Sequence, residues 1–320
     1  MIVDAHLDIA WNALAEGRGF DQPVAPGYLV SRAALVEAGI GLVLATIYCA
    51  PAENRTLKTG FSYRTPREAH LMARAQAGYY AAVGLPLIVD RAGLERHLRG
   101  WRPGRLAAVL LMEGADPIEE PAQVKQWAEA GVRIVGPAWS RTRYSGGTGA
   151  PGGLTELGVE LLRRMRRQGL ILDLSHLAEA AVQDAFQAWT GPLMASHSNA
   201  RALNPGDRQL SDATVAEVGR RGGVVGVSFF RRHLRSDGRP ARLEDVVRHV
   251  RHLAGAAGGP EHVGLGTDND GGFAAKDSPL RSLSRLPGLE SMLRVHFSKR
   301  QVAGIMGGNW IEFLRRSLPA

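Results

Sequence analysis

Eight short runs of valine, isoleucine, leucine and alanine constrain this chain more than any other feature. They read Ile2–His6, Ile40–Cys49, Ala107–Glu113, Ile134–Trp139, Leu170–His176, Pro192–Ser198, Val224–Phe230 and Val263–Asp268. Each is continuously apolar rather than alternating, the pattern of strands covered on both faces in a parallel sheet. Stretches with helical spacing separate them, at Arg67–Val83, Ala122–Ala130, Leu154–Gln168, Glu179–Ala188, Asp212–Arg220 and Leu243–Ala256. Ser211 stands where it would cap the helix beginning at Asp212, and Leu154 follows a Pro-Gly-Gly turn. Eight β/α alternations are what a closed (β/α)8 TIM barrel requires. An open doubly wound sheet would need a phosphate-binding glycine turn after an early strand, but the first run leads into His6-Leu7-Asp8. The expected fold is therefore an α/β barrel. No internal repeat or interdomain linker interrupts residues 1–320, so one domain is expected. Ala50–Arg64, polar and aperiodic, predicts an extended loop above the barrel, and glycine-rich Tyr144–Gly153 predicts a second, mobile loop.

Composition excludes several function classes. Apolar residues make up 45% and charged residues 22%, enough for a large core. Cys49 is the only cysteine, so no internal disulfide can form. The net charge of +8 raises the question of nucleic acid or an anionic membrane. The arginines are scattered, however, and the densest cluster, Arg163, Arg164, Arg166 and Arg167, falls on a solvated helix face with no binding motif beside it. A salt titration would separate a nucleic-acid binder from an enzyme, because phosphate contacts weaken steeply with salt. The N-terminus, MIVDAHLDIA, carries no secretory pattern, and no apolar run approaches the roughly 20 residues of a membrane span. A cytoplasmic protein without membrane or nucleic-acid partners is expected.

Metal-ligand residue types gather at the ends of these runs: His6 and Asp8 at the first, Glu113 at the third, His176 at the fifth, His197 at the sixth and Asp268 at the eighth. In a barrel all strand C-termini meet on one rim, where active sites sit. His6 and Asp8, two apart, would point to the same face of an extended strand. Imidazole and carboxylate suit Zn²⁺ in a catalytic site with an open water position. Three histidines with two carboxylates exceed one tetrahedral ion and fit two ions sharing a bridging carboxylate. Glu113, following the apolar run Ala107–Met112, must be paired or metal-bound if buried. The other seven histidines (His70, His97, His233, His249, His252, His262 and His296) fall in helical or loop patterns and are expected at the surface.

These motifs, in this order, resemble the membrane (renal) dipeptidase family of zinc peptidases. The resemblance runs from Asp4 to the C-terminal helix. It is carried by Asp4-Ala-His6-Leu-Asp8, Met112-Glu113-Gly114, Leu172-Asp-Leu-Ser-His176, Ser196-His197-Ser198-Asn-Ala, Gly264-Leu-Gly-Thr-Asp268-Asn-Asp270-Gly271 and Met306-Gly-Gly-Asn309-Trp. It implies that His6 and Asp8 bind one zinc, that His176 and His197 bind the other, and that Glu113 bridges them. It further implies that Asp268 is the catalytic acid/base and that Arg208 pairs with the substrate's terminal carboxylate, a task for which a guanidinium is well shaped. The implied reaction is hydrolysis of a dipeptide's amide bond by a metal-bridged hydroxide. A homodimer is compatible with the resemblance, which leaves oligomeric state open.

One position departs from the family. Where its dipeptidases carry a histidine on the fourth strand that helps bind the substrate carbonyl, this chain has Trp139. An indole donates one hydrogen bond and cannot carry a positive charge. Loss of such a donor typically costs roughly 10²–10³ in rate, unless Ser140, Arg141 or Arg143 substitutes. The alternative reading keeps the metals and moves the substrate to an N-acyl amino acid or another small amide. A catalytically silent, ligand-binding descendant would be expected to have lost a ligand or Asp268, and it retains them all.

Overall fold

The computed structural model describes residues 1–53 and 60–320. The middle of the expected Ala50–Arg64 loop, residues 54–59, lies outside the described residues. On either side of it Pro51 bridges Tyr63, and the Ala52 amide donates to the Tyr63 carbonyl at 2.8 Å.

The strands are β1 (Ile2–Leu7), β2 (Ile40–Tyr48), β3 (Ala107–Glu113), β4 (Val132–Gly136), β5 (Ser145–Gly147), β6 (Ala150–Leu154), β7 (Ile171–Asp173), β8 (Leu193–Met194), β9 (Val225–Val227) and β10 (Val263–Leu265). Six of them form one parallel sheet in the order β1-β2-β3-β4-β7-β8, curled into a half-barrel; β9 and β10 form a separate parallel pair. A parallel bridge between Ala195 and Val225 joins the two. Every apolar run thus contributes a strand, but several strands are shorter than their runs. The run at Leu170–His176 yields only Ile171–Asp173, because the Asp173 carboxylate takes the amides of Ser175 and Ser196, both at 2.9 Å. Side-chain acceptance replaces ladder pairing there, and His176 then turns to φ 68°.

Helices fill the connections. They begin with α1 (Ile9–Glu16), α2 (Arg32–Glu37), α3 (Pro66–Ala82), α4 (Arg91–Gly100), α5 (Val124–Glu129), α6 (Glu156–Arg167), α7 (Glu179–Ala188) and α8 (Asp212–Arg220). Then follow α9 (Arg231–Leu234), α10 (Leu243–Ala256), α11 (Leu286–Leu293), α12 (Lys299–Ala303) and α13 (Asn309–Ser317). The Ser211 hydroxyl accepts from the Thr214 amide and caps α8 as its position predicted. Leu154, by contrast, closes β6, and Thr155 caps α6. The expected mobile loop at Tyr144–Gly153 is instead the β5–β6 hairpin. Its glycines serve close approach rather than flexibility: a Cβ on Gly147 would strike the Ser140 carbonyl. Among the described residues no helix is long and apolar enough to cross a membrane.

Strand parity explains how a polar rim tops an apolar interior. Leu44, Leu111, Ile171 and Met194 belong to one buried cluster. Two residues further along, on the same faces, stand Thr46, Glu113, Asp173 and Ser196. The same interior is crowded at β9 and β10. Cβ atoms on Gly226 and on Gly266 would both collide with the Ser196 carbonyl oxygen. Gly266→Ala should therefore lower stability by about 3 kcal/mol, measured by denaturant unfolding, whereas Gly255→Ala, with open space at its Cβ, should not. Equal stability of the two variants would contradict this packing.

Candidate metal centre

The five expected ligands converge at the rim and are all buried. His6 comes from the end of β1, which is irregular between Asp4 and Leu7, and Asp8 lies just past the strand at the start of α1. The two groups still meet, with His6 Nε2 3.9 Å from Asp8 Oδ1. The Thr46 hydroxyl donates to the same Asp8 oxygen. Glu113 ends β3 and is the centre of the group: its Oε1 lies 3.1 Å from His176 Nε2, 3.4 Å from His197 Nε2 and 3.6 Å from His6 Nε2. His176 Nε2 and His197 Nε2 are 3.0 Å apart. Donor atoms of His6, Asp8 and Glu113 lie within 4.8 Å of one another, as do those of Glu113, His176 and His197, so Glu113 is common to both sets.

A cation fits this donor set on the structure's own terms. His6 Nε2 and Glu113 Oε1 are buried without a hydrogen-bond partner, an arrangement that costs free energy unless a ligand satisfies them. Burial, with Arg208 next, pushes His176 down to about 4; burial with His6 and Arg208 pushes His197 well down. Both are neutral imidazoles at neutral pH, the form that offers a lone pair to a metal. Burial opposes charge on His6 too, but the Glu113, Asp8 and Asp268 carboxylates outweigh it and lift that ring to about 10. The site is thus strongly negative where His6 Nε2 points.

Asp268 follows β10 in a left-handed turn, φ 59°, and its amide donates to the His6 carbonyl at 3.2 Å. Its carboxyl also lies within 4.8 Å of donor atoms of His6 and His197. Burial, reinforced by Asp8 and Glu113, raises its pKa well above the usual carboxylate range. The tight fit of this turn requires Gly271, whose Cβ would sit 2.5 Å from Asp8 Oδ2 and 2.8 Å from Asp268 Oδ1.

A cavity of about 510 Å³ opens over these groups. Trp139 forms part of its wall, its ring 5.6 Å from those of both His176 and Tyr48. Arg231, Arg232 and Lys276 stand among the lining residues, with Arg231 paired to Asp277 at 2.5 Å. Arg208 is buried beside the centre but does not line the cavity: its guanidinium donates to Ser198 Oγ at 3.1 Å and to the His197 carbonyl at 2.6 Å, leaving Nε without a partner.

Two expectations need correction. Ser140, Arg141 and Arg143 do not line the cavity, and both arginines are turned away onto backbone carbonyls, Arg141 on Pro151 and Arg143 on Ile118 and Glu119. His233 and His249 are not surface residues. His249 is fully buried between the Ala200 amide and the Leu234 carbonyl. His233 lines the cavity, with Nδ1 2.8 Å from Ser228 Oγ and 3.9 Å from Asp268 Oδ2. Its position in Ser228-Phe-Phe-Arg-Arg-His233, just past a strand's C-terminal end, was the signal available in the sequence.

The sequence matches the membrane dipeptidase family (peptidase family M19) over residues 1–317. An uncharacterised protein from the pqqA 5′ region of Klebsiella pneumoniae is 34% identical over 224 residues, which cover 66% of this chain and 82% of that protein. A dipeptidase of Claviceps purpurea is 33% identical over 225 residues, 68% of this chain but only 52% of its own, so the match spans about half of that relative. Among solved structures, a dipeptidase described as a metallopeptidase of family M19 superposes with a TM-score of 0.87 at 27% identity, covering 100% of this chain and 99% of its own. A metallopeptidase from Rhodobacter sphaeroides, bound to a phosphinate mimic of the dipeptide L-Ala-D-Ala, gives 0.85 at 26% identity, with 99% of each chain covered.

Proposed function

The chain belongs to the membrane dipeptidase family of metallopeptidases, and on that premise we propose that it is a binuclear zinc dipeptidase on a single, closed (β/α)8 barrel. The observation that carries this reading is Glu113 Oε1 facing three imidazole Nε2 atoms at 3.1–3.6 Å, with two of those four atoms otherwise unpartnered. Closure is supported by contacts of the β10 end with β1: the Thr267 amide and hydroxyl donate to Asp4 at 2.8 and 2.5 Å, and Asp268 to His6 as above. Imidazoles with carboxylates favour zinc over magnesium or calcium. His6 and Asp8 hold one ion, His176 and His197 the other, and Glu113 is shared.

Ions bound there supply Lewis acidity and lower the pKa of water toward neutrality. The remaining work falls to the chain. Asp268, whose affinity for a proton is raised by burial and by the neighbouring Asp8 and Glu113 carboxylates, takes one from the attacking water and returns it to the leaving amine. Arg208 turns from Ser198 to the substrate's terminal carboxylate. Trp139 shapes the wall where the scissile amide lies. The cavity, about 510 Å³, has room for a small substrate such as a dipeptide.

Trp139 also keeps a second reading alive, in which another small amide such as an N-acyl amino acid is the substrate. One panel separates the two: zinc-loaded protein against L-L and L-D dipeptides, free or amidated at the C-terminus, and N-acyl amino acids. Free dipeptides should be cleaved. Arg208→Met should lower kcat/KM on them about 10²-fold while amidated ones change little, since loss of a buried charge pair costs about 2–5 kcal/mol. Equal loss on both kinds removes the arginine from carboxylate binding, and silence on every dipeptide sinks the dipeptidase reading.

A further inference from the structure

All three imidazoles of the centre present Nε2 to it and turn Nδ1 to a hydroxyl. For His176 that hydroxyl is Thr148 Oγ1, at 3.0 Å. For the other two it is one and the same atom. Ser196 Oγ lies 2.9 Å from His197 Nδ1 and 3.3 Å from His6 Nδ1. It also lies 2.5 Å from Asp173 Oδ2 and 3.2 Å from Ser175 Oγ. Ser196, Asp173 and both rings are buried.

A proton count settles who donates. The other Asp173 oxygen is taken by the amides of Ser175 and Ser196. Its Oδ2 therefore receives the single hydroxyl proton of Ser196, across the shortest of that atom's contacts. Ser196 Oγ is left with two lone pairs and no proton to give. Both facing ring nitrogens must then carry N–H, which leaves Nε2 as the nitrogen that offers a lone pair, in His197 directly and in His6 once a cation displaces its proton.

We propose that Asp173 and Ser196 are positioning residues that fix the tautomers of His6 and His197 together, and so ready one ligand of each metal position through a single hydroxyl. The inference rests on the metal reading given above. Neither residue touches substrate or metal; each acts through the imidazoles. Groups of this kind typically account for about 10–100-fold in metal affinity.

Two variants test it, with zinc affinity measured by competition against a chromophoric chelator and with ¹⁵N NMR of the histidine rings in zinc-loaded protein. Ser196→Ala removes the shared acceptor. Asp173→Asn keeps size and shape: its amide oxygen still serves the two backbone amides, while its NH₂ faces Ser196 as a donor. The hydroxyl proton must then turn to Ser175 Oγ or toward a ring, and with one lone pair taken by the asparagine only one remains for two Nδ1–H groups, so one ring loses its acceptor. Both variants should bind zinc about 10–100-fold more weakly at both positions. Asp173→Asn should in addition alter the Nδ1 signal of His6 or His197 while leaving that of His176 as in the wild type. Wild-type affinity in Asp173→Asn, or weakened binding with all three ring signals unchanged, overturns the proposal. Failure of the wild-type protein to bind zinc at all sinks the metal reading instead.

Discussion

Asp268→Asn should lower turnover by about 10³-fold, within the range that a positioned acid/base contributes, while zinc content stays at the wild-type level. The substitution isolates the proton function. Asparagine matches aspartate in volume and tolerates the left-handed backbone, φ 59°, that this position requires. What it loses is a carboxyl whose pKa is raised by burial and by the neighbouring Asp8 and Glu113. An amide cannot shuttle a proton at any working pH. Steady-state kinetics and elemental analysis on the same preparation decide the matter. Retained turnover means that the proton travels elsewhere. Lost turnover with lost zinc means that Asp268 is a ligand, as its closeness to His6 and His197 would permit.

Glu113→Gln should be at least as damaging, for a different reason. The carboxylate stands in both donor sets, so its loss is felt at both metal positions rather than one. A neutral amide oxygen is a poorer ligand, and its NH₂ would donate to the imidazole Nε2 lone pairs that a metal needs. Zinc content should fall below that of a variant altered at one position only, such as Asp8→Asn, and activity should drop about 10³-fold or more. Thermal stability offers an independent reading. A ligand that binds only the folded state stabilises it, so zinc should raise the Tm of the wild type and raise that of Glu113→Gln much less. Without zinc, the variant should be less stable than the wild type near neutral pH, because it removes the carboxylate that does most to keep the buried His6 ring charged. Full zinc content in Glu113→Gln would remove the shared ligand from the account.

How much of this was legible in the sequence follows from what each residue's role depends on. Apolar runs announce strands because burial on both faces leaves them few alternatives, and β3 at Ala107–Glu113 appears with the boundaries its run gives. Strands were over-extended where polar side chains end the ladder, as Asp173 does for β7. Helix α1 was missed because its opening, Ile9-Ala-Trp-Asn12, is wholly buried and has no polar face to set a period. The glycines of the β5–β6 hairpin suggested mobility because a sequence does not distinguish a glycine that permits motion from one that permits contact. In the site, residues at strand ends were visible because a curled parallel sheet brings its strand ends to one rim. His233 was not, since its place depends on how α9 folds back over the rim. Ser196 and Asp173 stood inside the motifs, yet their shared hydrogen bonds arise only when β7 and β8 lie side by side.

Anomalous diffraction at the zinc edge, on crystals of protein purified without chelators and supplemented with zinc, bears most directly on the whole account. Two peaks per chain are predicted, one beside His6 and Asp8, one beside His176 and His197, with Glu113 between them. A single peak, peaks elsewhere on the chain, or none despite full zinc in the crystallisation drop would contradict it.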